Sequence, residues 1–245
     1  MTLAIISDIH GNLSALDAAL QDMKAFKVDR LICLGDVANF GPQPQASLHR
    51  IRELGCPVVM GNTDAYLLQP RTIKDVSEPD EETPRFLELE AWSAEQLDNE
   101  DRVFIKTFQP TLRLEDDGIS LLAYHGSPQD YHDIITAITP DDVLDTYFEG
   151  RDALIYAGGH THTQFLRRYH GSRILNPGSV GLPYLIEKTG KVINPAVAEY
   201  ALLEVIDGEP NITLRRIPYD VQKVADAVKV SDMPHAEWWL KGFLD

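Results

Sequence analysis

The sequence predicts an α/β fold in which two mixed β-sheets pack on each other and are flanked by helices, and three observations carry that prediction. Short apolar runs alternate with helical patterns through about the first 70 residues, as βαβ units do. A dense series of β-rich runs follows between residues 111 and 217, enough for a second sheet packed on the first. With 245 residues, 44% of them hydrophobic, the chain can bury such a core unaided.

Taken in order, LAIIS at 3–7 is the first strand. Asn12 then caps a helix whose Leu13, Leu16, Leu20, Met23 and Phe26 recur at helical spacing, and Leu31–Leu34 is the next strand. Pro44 to Leu54 is predicted as a second helix, Pro57–Met60 as a strand, and a short helix starts at Asn62. The Asp-Asp-Gly turn at 116–118 marks a hairpin between strands 111–114 and 119–124. Further strands are expected near 153–157, 164–169, 172–175, 198–206 and 211–217 as members of the second sheet. A helix from about 220 and an amphipathic tail, Met233–Phe243, close the chain as a packed cover.

Composition excludes several classes. The net charge of −16 repels polyanions, so no nucleic-acid duplex is expected as a partner. No run approaches the ~18 apolar residues of a membrane span, and residues 1–12 lack a secretion signal, so a cytoplasmic protein beginning at Met1 is expected. Cys33 and Cys56 lie in apolar runs and are expected as core thiols rather than a disulfide. From Arg71 to Asp101, eleven acids stand against three bases, giving −8, half of the net charge. The expectation is one domain over 1–245 with an acidic helical insert at about 71–110. That insert is either a solvated surface helix or a lid or oligomer contact anchored by Phe86, Leu89 and Trp92.

The chemistry is concentrated in five blocks, each placed where a strand ends: Asp8-Ile9-His10-Gly11-Asn12, Gly35-Asp36, Gly61-Asn62-Thr63-Asp64, His125-Gly126 and Gly159-His160-Thr161-His162. The carboxyl ends of neighbouring strands in an open α/β sheet face one crevice, so distant residues converge there. Carboxylate and amide oxygens with imidazoles, and no thiolates, suit hard-to-borderline cations. Asp8 and His10, like His160 and His162, alternate along extended chain and can both face a cation only if the backbone bends there. Two divalent ions against Asp8 and Asp36 leave about +2, enough for an acidic protein to capture an anion locally.

In these blocks the chain resembles the calcineurin-like metallophosphoesterase superfamily, across residues 5 to 181. D-I-H-G-N, G-D-x-x-x-x-G-P, G-N-x-D, H-G-S-P, G-H-T-H and N-P-G-S-V-G are similar to its small bacterial and archaeal branch of YfcE-like and diadenosine tetraphosphatase-related proteins. The resemblance implies a four-layer αββα sandwich. It also implies a phosphoric ester hydrolase that cleaves a small phosphodiester, nucleotide or dinucleotide phosphate with metal-activated hydroxide. Asp8, His10 and His162 would hold one divalent ion and Asn62, His125 and His160 a second, with Asp36 bridging. Mn²⁺ stands first among the ions, with Fe, Zn, Ni or Co as alternatives.

The resemblance assigns Asp36, Asn62 and His125 to catalysis and Asn12, Asn39 and Asn62 to substrate contact. Asn39 belongs to a Gly-Pro loop at the pocket rim, and 176–181 to a connection beneath the site. Many relatives place a proton-donating histidine after the motif asparagine, where this chain has Thr63. Asp64, beside two cations, is expected to stay ionised and to be a poor substitute, and His132 is the other candidate donor. The rival functions are a non-catalytic scaffold on the same fold and a serine/threonine phosphoprotein phosphatase. The latter would need the histidine missing at Thr63 and phosphate-binding arginines. An oligomer is left open.

Overall fold

A computed structural model of the chain describes residues 1–116 and 118–244. Strand β1 (Thr2–Ile6) is followed by α1 (Leu13–Met23), and β2 (Arg30–Cys33) then pairs parallel with β1, Ala4 opposite Leu31. The Asn12 side chain accepts the Ala15 N–H, and Ala15, Leu16, Ala19 and Met23 bury one face of α1. Helix α2 (Pro44–Leu54) begins with a proline, whose missing N–H costs nothing there, and stops at left-handed Gly55. After α3 (Asn62–Leu68) comes the acidic segment, with a 3-10 turn at Ile73–Asp75, α4 (Thr83–Glu95) and α5 (Asn99–Ile105).

The second sheet holds β3 (Leu112–Asp116), β4 (Ile119–Ala123), β5 (Ile155–Ala157), β6 (Phe165–Tyr169) and β7 (Ser172–Asn176), in the order β3-β4-β5-β7-β6. Helix α6 (Asp141–Phe148) joins β4 to β5. A small hairpin of β8 (Leu185–Ile186) and β9 (Val192–Ile193) precedes the long antiparallel pair β10 (Val197–Ile206) and β11 (Glu209–Pro218). Helices α7 (Val221–Val230) and α8 (Ala236–Leu244) end the chain.

The side-chain alternation of strands sorts the core into layers. Leu3 and Ile5 of β1 and Ala201 and Leu203 of β10 meet Leu121, Ala123, Ile155 and Leu175 between the two sheets. Ala4, Ile6 and Cys33 point the other way, onto α1, α2 and α5. On the outer face of the second sheet, Leu122, Tyr156 and Ile174 meet Leu144 and Phe148 of α6. The result is helix, sheet, sheet, helix.

Two expectations need correction. The strands at 198–206 and 211–217 belong to the first sheet, ordered β11-β10-β1-β2, because β10 pairs antiparallel with β1. Residues 57–60 form only two isolated bridges, Val58 with Cys33 and Val59 with Gln109, rather than a strand. Helix α6 and the β8–β9 hairpin are not foreseen. The 116–118 hairpin prediction includes Asp117, which lies outside the described residues, although its flanking strands pair as expected, Asp116 with Ile119. No helix among the described residues is long and apolar enough to cross a membrane. Both cysteines are free thiols, Cys33 buried and Cys56 half-buried.

Candidate metal centre

The five motif blocks meet at the carboxyl ends of β1, β2, β4 and β5 and at the N-terminus of α3. The backbone bend demanded by the alternating pairs is present: Asp8, His10, Asp36, His160 and His162 all have left-handed backbones, with φ of 55°, 49°, 57°, 66° and 54°. Each such residue costs on the order of 1–3 kcal/mol, although Asp and His tolerate the region better than most. The surrounding network holds them there. Asp8 N–H donates to the Gly35 carbonyl at 3.0 Å, His10 N–H to the Asp36 carbonyl at 3.0 Å, and His160 N–H to Asp8 Oδ2 at 3.1 Å. A Cβ on Gly61 would strike the Asp36 carboxylate, so that turn requires glycine.

The side chains form two triads, Asp8–His10–His162 and Asp36–His125–His160, each with one ligand-type atom per residue, all within 4.8 Å of one another. Asp36 Oδ2 lies 3.8 Å from His10 Nε2 and 3.3 Å from His125 Nε2, so it stands between the triads. Asn62 Oδ1 is 3.0 Å from His125 Nε2. The Nδ1 atoms of His10, His125 and His162 lie 3.1, 2.7 and 2.7 Å from the carbonyls of Asn39, Leu34 and Leu182. A carbonyl only accepts, so each Nδ1 donates, and each ring, once its Nε2 is unprotonated, turns that lone pair into the site. Asp8 Oδ1 is buried with no hydrogen-bond partner. Converging lone pairs and an orphaned carboxylate oxygen fit divalent cations.

Electrostatics agree with that donor set. Burial alone would raise the Asp8 and Asp36 carboxyls, but His162 beside Asp8 and His125 beside Asp36 override it and hold both below the usual carboxylate range. Burial, aided by the His162 charge, pushes His10 down to about 4. His125 goes the other way, up to about 10, because Asp36 and Asp8 outweigh its burial.

The remaining predicted residues are placed differently. Asn12 donates to the Gly181 carbonyl at 2.9 Å and to the Tyr219 hydroxyl at 3.1 Å while capping α1, so its amide is used inside the fold and it does not reach the chamber. Asn39 offers its backbone carbonyl to His10, and both polar atoms of its buried side chain lack a partner. Asp64 is fully buried and accepts the N–H groups of Asp36, Val37 and Gly61 at 2.7, 2.9 and 3.1 Å, bracing the Asp36 turn. In the metal-free fold, burial and the Asp36 charge push its carboxyl up to about 7. His132 is exposed, bonded to the Tyr66 hydroxyl at 2.7 Å and to Asp130 at 2.9 Å. The 176–181 segment does underlie the site: Ser179 Oγ donates to the Asp8 carbonyl at 2.7 Å and Asn176 to that of Gly159 at 2.7 Å.

Above the centre opens a cavity of about 650 Å³. His10, Asp36, Asn62, Thr63, His160 and His162 line it at the centre, and Phe40, Phe86, Leu89, Leu182, Tyr184, Trp238 and Trp239 supply apolar walls. The Thr63 hydroxyl is buried without a hydrogen-bond partner, and its residue lines this cavity.

Two layers of sheet between helices, with Asp and His triads at the strand ends, define a metallophosphoesterase-type protein. Residues 1–205 match the calcineurin-like phosphoesterase superfamily domain, and the chain belongs to that family. It is 28% identical over 247 residues to the uncharacterized protein MJ0912 of Methanocaldococcus jannaschii, covering 96% of this chain and 94% of that one. A metallophosphoesterase from Sphaerobacter thermophilus superposes with a TM-score of 0.74 at 26% identity, over 99% of this chain and 98% of that one. The hypothetical protein PH1004 of Pyrococcus horikoshii shares the fold, with a TM-score of 0.80 at 19% identity over 98% and 96% of the two chains.

Proposed function

We propose that this chain is a dimetal phosphoesterase hydrolysing a small phosphodiester or a nucleotide or dinucleotide phosphate. The observation that carries the proposal is the position of Asp36 Oδ2 between two triads whose Nε2 atoms converge on it. In this reading Asp8, His10 and His162 hold one cation, Asn62, His125 and His160 the other, and Asp36 both. Mn²⁺ is the first choice for this oxygen and imidazole set. Bound there, the ions would activate a water and neutralise phosphoryl oxygens in an in-line displacement, forming one P–O bond as the ester P–O bond breaks.

The chain's own groups do the rest. The Nδ1 bonds to backbone carbonyls fix ring orientation, so no reorganisation is needed when a cation or phosphoryl group arrives. We assign to the Thr63 hydroxyl, buried without a partner in a residue that lines the cavity, a hydrogen bond to a phosphoryl oxygen; it cannot deliver a proton to a leaving alkoxide as a histidine would. Esters with good leaving groups and phosphoanhydrides are therefore the better substrates. Asn12 serves the fold, and Asn39, buried and not among the residues lining the cavity, gives its backbone carbonyl to His10.

We place the protein in the cytoplasm, in keeping with its two free thiols. A scaffold has no use for converging lone pairs and an orphaned carboxylate, and a phosphoprotein phosphatase would need the histidine that Thr63 replaces and phosphate-binding arginines, none of which is among the residues lining the cavity. The test is a screen of nucleotide, dinucleotide and aryl phosphodiester substrates on metal-reconstituted protein. Hydrolysis of none of them in any of the metals would refute the proposal.

A further inference from the structure

The cavity is far larger than a phosphoryl group needs, and its upper walls come from three segments remote in sequence. Helix α4 supplies Phe86, helix α8 Trp238, and the stretch running into the β8–β9 hairpin Leu182 and Tyr184. The rings run without a gap from the metal centre outward: His10 to Phe40 at 5.9 Å, Phe40 to Phe86 at 5.6 Å, and Phe86 to Trp238 at 5.4 Å, the last two edge to face. The outer wall is also anchored. The Arg85 guanidinium lies 5.4 Å from the Trp238 ring centre, His235, just before α8, pairs with Glu88 of α4 at 2.8 Å, and Asn194 N–H bonds to the Gly242 carbonyl at 2.7 Å. Aromatic walls around a site of about 300–1,000 Å³ are how proteins hold flat apolar groups.

We infer that this aromatic chamber is a specificity subsite for a planar aromatic group carried on the phosphoester, assembled by α4, α8 and the hairpin above the metal centre. The inference rests on the phosphoesterase reading for where the phosphorus sits. Lys241, exposed at the chamber edge, adds a cation for a further anionic group on the same ligand. From the acidic segment Phe86 and Leu89 line the chamber, and so does Glu82, which pairs with Arg85 at 2.7 Å.

Calorimetric titration of the Mn²⁺-loaded protein with phenylphosphonate and methylphosphonate isolates the subsite, because the two share one phosphonate and neither is hydrolysed. Phenylphosphonate should bind at least about tenfold more tightly and change the tryptophan fluorescence. Phe86→Ala, at a position 40% exposed and so tolerant of truncation, and Trp238→Ala, on a different helix, should each shrink the preference by about three- to tenfold. Lys241→Ala should weaken phenylphosphonate little and phenyl bisphosphonates more. A nucleoside 5′-phosphonate binding more tightly than phenylphosphonate would identify the planar group as a base, and the reverse order a simple aryl ester. Equal affinity for the phenyl and methyl compounds, or a preference unmoved in both aromatic variants, overturns the subsite and leaves the metal-centre reading standing. Absence of any Mn²⁺-dependent phosphonate binding overturns both.

Discussion

His10 Nε2 and His162 Nε2 lie 3.0 Å apart, and the Nδ1 of each ring is already committed to a backbone carbonyl. Two neutral imidazoles so arranged aim lone pair at lone pair, a repulsion that only a proton or a cation between them removes. Burial and the His162 charge push His10 down to about 4, while Asp8 outweighs burial and raises His162, so in the metal-free fold the proton between the rings belongs to His162 and a metal must displace it.

Removing one ring should therefore empty one position and spare the other. His162→Ala is expected to lower bound Mn²⁺ from about two ions per chain to about one, read by elemental analysis after gel filtration. Asp36→Asn should weaken both positions. A stoichiometry unchanged in His162→Ala would separate that residue from the centre.

The pH dependence of metal uptake follows from His125. Its pKa is raised to about 10 in the metal-free fold, so the ring carries a proton through neutral pH, and metal must displace it. Binding then releases protons, and affinity falls as pH falls and rises as pH climbs toward 10. Calorimetry at pH 7.5 in two buffers of different ionisation enthalpy should show about one proton released through His125. No buffer dependence would contradict the assignment.

Thr63 offers a chemical test. Replacing its buried, unpartnered hydroxyl by Thr63→Val should lower kcat/KM about five- to twentyfold with Thr63→Ser nearly unaffected, the loss expected for one hydrogen bond to a charged group. Thr63→His should flatten the dependence of rate on leaving-group pKa. A wild-type rate already flat across that series would mean that another group donates the proton.

Stability of the acidic segment hinges on Glu90, which is fully buried on α4 and takes the Arg71 backbone N–H at 2.6 Å and its guanidinium at 2.9 and 3.1 Å. Glu90→Ala leaves those donors unpaired beside the core and should cost about 2–4 kcal/mol in urea unfolding, Arg71 being partly exposed. A loss under about 0.5 kcal/mol would show that water replaces the carboxylate.

The centre was legible because its signals are local. Each block of candidate ligands follows an apolar run and contains a glycine, and the alternation of Asp8 with His10 and of His160 with His162 demanded the left-handed bends that the backbone adopts. Strand partners were not legible. The run at 198–206 reads as a strand from its own residues, but that β10 lies between β1 and β11 depends on which neighbours its two faces meet. Helix α6, eight residues behind Pro140, is too short for its period to stand out. Asn12 carried two compatible readings, cap and substrate contact, and only tertiary geometry showed its amide spent on Gly181 and Tyr219. The aromatic chamber joins Phe40, Phe86 and Trp238 across nearly 200 residues, with nothing local to announce it.

The central claim, a pair of cations held around Asp36, is tested most directly by hydrolysis of bis(p-nitrophenyl) phosphate on chelator-stripped protein, with and without added Mn²⁺, in wild type and Asp36→Asn. The account predicts negligible turnover in chelator, recovery with Mn²⁺ in the wild type, and a loss of at least about 10²-fold in Asp36→Asn at saturating Mn²⁺. Full turnover in chelator, or wild-type turnover in Asp36→Asn, would contradict it.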